Sequence, residues 1–213
     1  MPITFHENID HDTAIALWRI TETPDELERQ LQLKEHELKL LSSLSKDKRS
    51  LHWLATRVLL RKMLNTDEYI DCQADENGKP ILINHPHHIS LSHSYDYAAV
   101  MVSKTKKVGI DIEIIKDKII RVKNKFMSGE ELNFINPDHQ TEQLYICWCA
   151  KEALYKLNGK KETSFKDHIH LSPFEFSDEG ELDGEIDNTK LKESYKIKFR
   201  KFEDYMLGYV CEQ

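Results

Sequence analysis

The sequence predicts an α+β fold of two similar halves, each a small antiparallel sheet packed with a long helix. Three observations predict it. Short apolar segments recur along the chain and read as strands. Two long helical patterns, one opening at Ser45 and one running from about Gln140 to Leu157, interrupt them. The two patterns also resemble each other. Trp53–Arg61 (WLATRVLLR) aligns with Trp148–Lys156 (WCAKEALYK) at Trp, Ala and Leu, and each segment ends in a cation. The same offset lays Thr13–Ile20 over Val108–Ile115, strand over strand.

Taken in order, Thr13–Ile20 (TAIALWRI) is the first expected strand, and Pro24–Leu44, rich in Glu, Leu and Lys, reads as one or two helices. The pattern from Ser45 repeats apolar residues at Leu51, Leu54, Val58 and Met63. It carries Lys46, Lys48, Arg49, Arg57, Arg61 and Lys62 beside them. Asn77-Gly78-Lys79-Pro80 is a turn signal, followed by a short strand at Ile81–Ile83. Ile89–His93 and Tyr97–Val102 read as a hairpin, and Val108–Ile115 as a strand. The basic turn Lys104–Lys107 between them is the expected boundary, giving an N-terminal half of residues 1–104 and a C-terminal half of residues 105–213. Ser128 and Glu131 have capping-box spacing, and Asn158-Gly159 is a helix stop. Further strands are expected at Lys166–Leu171, Tyr195–Phe202 and Tyr205–Glu212, with the acidic stretch Ser177–Asn188 as a mobile loop.

Bulk composition narrows the function. At 213 residues, 39% hydrophobic and 31% charged, the chain has the make-up of an ordinary globular protein with a real core. A net charge of −7 argues against general nucleic-acid binding, which needs a basic footprint. The four cysteines form no zinc-type pair and no disulfide framework, and Cys147 and Cys149 read as packing residues. The opening MPITFHENIDHD lacks a basic segment followed by an apolar run, and nothing approaches the ~18 apolar residues of a membrane span. A cytoplasmic protein without membrane contact is therefore expected. His85, His87 and His88 sit around Pro86 without a fourth ligand nearby and read as a surface loop.

Three clusters are candidates for chemistry. In Gly109-Ile110-Asp111-Ile112-Glu113, residues two apart share a strand face, so Asp111 and Glu113 point together away from Ile110 and Ile112. Two adjacent carboxylates repel unless protonated or bridged by a cation, and all-oxygen ligation suits Mg²⁺. Taken alone, the pattern is also that of an alternating strand with a solvated face. Glu152 and Lys156 are one helical turn apart, either a surface ion pair or a carboxylate and a phosphate-binding lysine. Ser90-Leu91-Ser92-His93-Ser94, preceded by Gly78-Lys79-Pro80, offers phosphate ligands by type, or a polar hairpin end. A Ser–His hydrolase is disfavoured because adjacent strand residues point oppositely.

In chain order, G-K-P, S-x-S-H-S, V-G-I-D-I-E and W-x-x-K-E-A-x-x-K together resemble the 4′-phosphopantetheinyl transferase superfamily, in its single-chain, Sfp-like branch of two similar halves. These motifs occupy residues 78–156, and Phe126 ahead of Glu130-Glu131 matches a common family pattern. The resemblance implies Mg²⁺-dependent transfer of 4′-phosphopantetheine from coenzyme A to a serine of an acyl or peptidyl carrier protein, releasing 3′,5′-ADP. A silent homologue that only binds coenzyme A or a carrier is the alternative. By the resemblance, Asp111, Glu113 and Glu152 are the Mg²⁺ (or Mn²⁺) ligands, and Glu152 is also the base for the carrier serine. Lys156 contacts the coenzyme A phosphates. Ser92 and His93 are 3′-phosphate or pyrophosphate ligands, Lys79 and Pro80 are adenine-side contacts with part of the 3′-phosphate site, and Lys48 and Arg49 hold the 3′-phosphate. Carriers present an acidic helix, for which Lys104–Lys107 or Arg121–Lys125 is the expected complement. With both halves in one chain, a monomer is expected.

Overall fold

Two antiparallel sheets lie face to face, each with a long helix against its other side. The computed structural model describes residues 3–44, 48–188 and 191–212. The first sheet has the order β1-β2-β6-β5, from β1 (Ile3–Asn8), β2 (Thr13–Arg19), β5 (His88–Ser94) and β6 (Tyr97–Ser103). The second has the order β7-β11-β10-β9-β8, from β7 (Val108–Ile114), β8 (Ile169–Leu171), β9 (Glu179–Asn188), β10 (Leu191–Phe202) and β11 (Tyr205–Cys211). A two-stranded ribbon, β3 (Cys72–Ala74) with β4 (Pro80–Leu82), stands apart. The fold class is α+β.

The alternation of side chains along each strand builds the layers. In β2, Ala16 and Trp18 pack with Leu54, Val58 and Leu59 of α3 (Lys48–Met63). Ile15 and Leu17, on the opposite face, meet Ile110, Ile112 and Leu207 of the second sheet. In β11, Met206 and Val210 face α6 (Gln140–Asn158), while Tyr205, Leu207 and Tyr209 face the first sheet. The layering is helix, sheet, sheet, helix. The two sheets also share a connectivity. A strand (β2 or β7) leads through helices to a hairpin (β5–β6 or β10–β11), whose last strand returns to pair antiparallel with the first.

Most expected elements appear, with shifts. Pro24–Leu44 resolves into α1 (Pro24–Glu28) and α2 (Glu35–Ser43). Ser45 and Lys46, where the long helical pattern was expected to open, lie outside the described residues. The Ser128–Glu131 capping box is formed at α5 (Gly129–Leu132), and Gly159 ends α6 in the left-handed conformation, φ 68°. A short helix not expected from the sequence, α4 (Lys118–Val122), precedes α5 and leads into a 3₁₀ turn at Lys123–Lys125.

The acidic stretch Ser177–Asn188 is the clearest correction: from Glu179 onward it is strand β9, not a mobile loop. Its composition hides a period of two. Leu182, Gly184 and Ile186 face the core, and the intervening acids meet cations of β10. Glu185 pairs with Lys192 at 2.7 Å, Asp183 with Lys196 at 2.8 Å and Glu179 with Arg200 at 2.9 Å.

One buried ion pair ties α6 to its surroundings. Lys151, 0% exposed, donates to Glu131 Oε2 (2.8 Å) and to the carbonyls of Phe165 (2.8 Å) and Ile169 (2.7 Å). Glu131 in turn accepts the backbone N–H groups of Ser128 (2.8 Å) and Leu171 (2.9 Å). All three ammonium protons are used, and α5, α6 and β8 are joined at one point. Replacing Lys151 by Met leaves a buried carboxylate without its counter-charge. This costs about 3–5 kcal/mol of stability, measured as a shift in urea midpoint. A loss below about 1 kcal/mol, the range of a surface pair, would contradict the buried geometry.

Candidate active site between β7 and α6

The site begins with a missing side chain. On β7, Val108, Ile110 and Ile112 are wholly buried against the first sheet, which turns Gly109, Asp111 and Glu113 toward α6. A Cβ at Gly109 would stand 1.9 Å from the carbonyl oxygen of Ala153, so the helix backbone rests directly on the strand there. This seating sets Glu152 and Lys156, one turn apart on α6, beside the two acids of β7. Lys156 Nζ donates to Asp111 Oδ1 at 2.7 Å and to the carbonyl of Ile110 at 3.0 Å.

Asp111 is 4% exposed and receives a second hydrogen bond on Oδ1 from Ser92 Oγ, at 2.7 Å. Its other oxygen, Oδ2, is buried without a hydrogen-bond partner. Glu113 accepts from Ser94 Oγ at 2.9 Å. Burial, and then the charge of Asp111, raise the Glu113 carboxyl above its ordinary range. The same two causes push Glu152 up to about 7, with Lys156 opposing them. Among the described residues, no three His, Cys, Asp or Glu side chains are gathered into a ready-made metal cage. The acids instead form a strained group: one oxygen buried without a partner, and two carboxyls that resist ionisation.

Each residue singled out from the sequence can now be placed. Asp111, Glu113, Glu152, Lys156 and Ser92 belong to this cluster. Lys79, Pro80, Tyr155 and Lys156 line a neighbouring cavity of about 220 Å³ between the β3–β4 turn and α6. Within it, the Lys79 ammonium is turned onto the carbonyl of Leu157, at 2.9 Å, at the C-terminal end of α6. Ser92 is likewise turned inward, onto Asp111 and β7, with 6% of its surface exposed. His93 points to the opposite side of β5, is exposed, and stacks on His52 with ring centroids 4.4 Å apart. Lys48 and Arg49 are exposed in the first turn of α3, and Lys48 Nζ lies over the Tyr95 ring at 4.8 Å. Glu113 also opens onto a second cavity of about 230 Å³ with Lys118, Ile119, Val122, Tyr145 and Trp148. A larger cavity of about 390 Å³, lined by Arg61, Lys62 and Asp67, holds none of the expected residues.

Sequence reasoning missed Ser90 and Ser94 as structural partners of β7. The signal was there: serines at positions 90, 92 and 94 repeat with the same period of two as Gly109, Asp111 and Glu113. It also missed His52, whose Nε2 donates to the Tyr95 carbonyl at 2.6 Å and holds the β5–β6 turn.

The raised Glu152 carboxyl has a consequence for stability. A folded-state acid near 7, against an ordinary value near 4.3, keeps its proton longer in the folded chain than in the unfolded one. Stability in metal-free buffer therefore falls as pH rises from about 4.5 through 7. Glu152→Gln removes that loss: in EDTA its melting temperature exceeds wild type at pH 8 and converges with it at pH 4.5. Equal melting temperatures at pH 8 would mean that the carboxyl is not held in this environment.

Comparison with known proteins agrees with the geometry. The profile of the 4′-phosphopantetheinyl transferase superfamily matches residues 107–210, the segment that contains β7, α6 and all three acids. 4′-Phosphopantetheinyl transferase AcpT of Escherichia coli K12 is 35% identical over 113 residues, covering 50% of this chain and 57% of AcpT. 4′-Phosphopantetheinyl transferase psf-1 of Bacillus pumilus is 35% identical over 97 residues, 44% of this chain and 41% of psf-1. Sfp of Bacillus subtilis strain 168 is 29% identical over 112 residues, 48% of this chain and 50% of Sfp. The chain thus spans about half the length of the curated relatives it matches. Among the described residues no helix is long and apolar enough to cross a membrane. Residues 107–210 thus match the 4′-phosphopantetheinyl transferase superfamily, and the relatives similar to this chain carry that name.

Proposed function

We propose that this protein transfers the 4′-phosphopantetheine arm of coenzyme A to a serine of an acyl or peptidyl carrier protein, releasing 3′,5′-ADP. The observation that carries the reading is the cluster of Asp111, Glu113, Glu152 and Lys156 on β7 and α6. The names of the relatives support it.

The donor set fits a divalent cation. Asp111 Oδ2 is buried and unpartnered, and Glu113 and Glu152 are raised by burial and by the neighbouring charge, a penalty that a cation relieves. Three carboxylates against one lysine suit a hard, oxygen-preferring ion such as Mg²⁺, with Mn²⁺ as its substitute. Asp111, Glu113 and Glu152 would hold it. When bound, it supplies charge neutralisation at the pyrophosphate.

The chain's own residues do the rest. Glu152, on α6 beside the acids of β7, is the carboxylate placed to accept the carrier serine proton. The serine oxygen then bonds the β-phosphorus of coenzyme A, and the bridging bond to the α-phosphate breaks, leaving 3′,5′-ADP. Lys156 uses two of its three ammonium protons on Asp111 and Ile110, so one remains for a phosphate oxygen. Lys79 and Pro80 line the adjacent cavity, a site for the adenine end, with Lys79 keeping two protons beyond its bond to Leu157. Ser92, His93, Lys48 and Arg49 stand as further phosphate contacts in this reading. Residues 1–104 are then the nucleotide side and residues 105–213 the metal and catalytic side, with a cytoplasmic monomer as the working form.

For the carrier, the two basic stretches differ. Lys106 is paired with Asp10 and Lys107 with Glu212, whereas among the described residues Arg121, Lys123 and Lys125 make no ion pair. The α4 segment, beside the cavity that Glu113 opens onto, is therefore the docking side for an acidic helix.

Intact-mass spectrometry of apo carriers incubated with the protein, coenzyme A and Mg²⁺ tests the reaction. A gain of one phosphopantetheine group is expected, abolished by EDTA and slowed about 10²–10⁴-fold by Glu152→Gln. Coenzyme A binding with no gain on any carrier would move the assignment to a silent binding protein. Charge reversal at Lys123 and Lys125 raises the apparent KM for the carrier several-fold at low salt, less at high salt, and spares that for coenzyme A. An unchanged carrier KM would remove the basic stretch after α4 from the docking surface.

A further inference from the structure

The two sheets meet along β5 and β7, each the edge of its own sheet. An edge strand carries N–H groups without a backbone partner. Here three serines of β5 supply the acceptors. Ser90, Ser92 and Ser94 Oγ accept the N–H groups of Ile110 (3.0 Å), Ile112 (3.3 Å) and Ile114 (3.1 Å). All three serines are nine-tenths or more buried. The register is constant: each serine is bonded to the N–H twenty positions ahead.

A hydroxyl has a single proton to give. Two of the three hand it to the acid one residue before the N–H they accept: Ser92 to Asp111 Oδ1 at 2.7 Å, and Ser94 to Glu113 Oε2 at 2.9 Å. The third, Ser90, faces position 109, which is glycine and offers no carboxylate. We propose that Ser94, and Ser92 with it, are positioning residues that fix the orientation of the two acids, engaging one oxygen of each and leaving the other for a cation. The proposal rests on the reading that these acids hold a divalent ion. It differs from the role the resemblance implies for Ser92, and it gives Ser94 one where the resemblance implies none.

The logic parallels other metal sites, where partners behind the ligands fix their orientation and affinity. Ser94 is the cleaner test, because among the described residues no lysine hydrogen-bonds Glu113, whereas Asp111 is also held by Lys156. Ser90 provides an internal control, since it makes the same bond to β7 without touching an acid.

Mn²⁺ titration followed by electron paramagnetic resonance, on the full chain without coenzyme A, reads the effect directly. Ser94→Ala is expected to weaken Mn²⁺ binding about 10-fold or more, within the range for such partners. Ser94→Thr, which keeps the hydroxyl, restores most of the affinity. Ser90→Ala lowers the melting temperature as Ser94→Ala does but leaves Mn²⁺ affinity at the wild-type value. Should Ser94→Ala fail to fold, Ser94→Cys keeps the volume with a weaker donor and is expected to fall between alanine and wild type. Unchanged Mn²⁺ affinity in the alanine or cysteine variant overturns the proposal. An equal loss in Ser90→Ala overturns it too, by showing a general loosening of the seam. A wild-type protein that binds no Mn²⁺ overturns the cation reading itself, and the proposal with it.

Discussion

The direct contact of α6 with β7 at Gly109 governs the rest of the site. Sheets and helices ordinarily keep a side-chain layer between their backbones. Here the absence of one Cβ lets the Ala153 carbonyl approach the strand closely enough that any side chain at position 109 would displace backbone. Because strand residues alternate, the same choice that puts Gly109 under the helix puts Asp111 and Glu113 beside it. Because helix residues repeat every turn, it brings Glu152 and Lys156 to the same line. Gly208 on β11 repeats the device on the adjacent strand, where a Cβ would stand 2.8 Å from Cys149 backbone. The helix is seated on a two-glycine floor, and the Lys151–Glu131 pair holds its far side.

Close seating excludes water, and that is the origin of the site's electrostatics. Burial is the largest cause of the raised carboxyls at Glu113 and Glu152, ahead of any single neighbour. In a solvated strand face the same D-x-E pattern would carry two ordinary carboxylates. Lys156 offsets only part of the charge, because its ammonium is committed to Asp111. In the proposed reading a cation would relieve this penalty, so the cluster would trade stability of the empty site for affinity.

How much of this was legible depends on which physical rule each residue obeys. The face-sharing of Asp111 and Glu113, the pairing of Glu152 with Lys156 and the caps at Ser128 and Gly159 follow from local periodicity, and local periodicity is written in the sequence. Strand β9 was hidden because its polar face is almost wholly acidic, and composition outweighed alternation until the cations of β10 were placed opposite it. The turn of Lys79 onto Leu157, the burial of Lys151 and the serine bonds to β7 are long-range, joining residues from 14 to 78 positions apart. Such contacts depend on tertiary placement. Residue type alone suggested phosphate ligands at Lys79 and Ser92, since an ammonium and a hydroxyl serve equally well toward a helix carbonyl, a carboxylate or a phosphate.

The position of Lys79 ties the two sides of the proposed site together. Its stem lies against Gly159, where a Cβ would stand 2.8 Å from its Cδ, and its ammonium closes the last turn of α6. From the other direction, Lys161 reaches back to the carbonyl of Glu76 in the same turn. The β3–β4 turn and the end of α6 are therefore interlocked, each lysine crossing onto the other segment beside a glycine of positive φ. Burial and the nearby Lys107 lower the Lys79 pKa, so its charge is held at a cost that an anion in the adjacent cavity would reduce. The cavity that Lys79 lines is bounded by the helix that carries Glu152 and Lys156. A ligand filling it touches the helix that carries Glu152 and the β3–β4 turn at once, so the geometry of the acids and the occupancy of the cavity cannot be set independently.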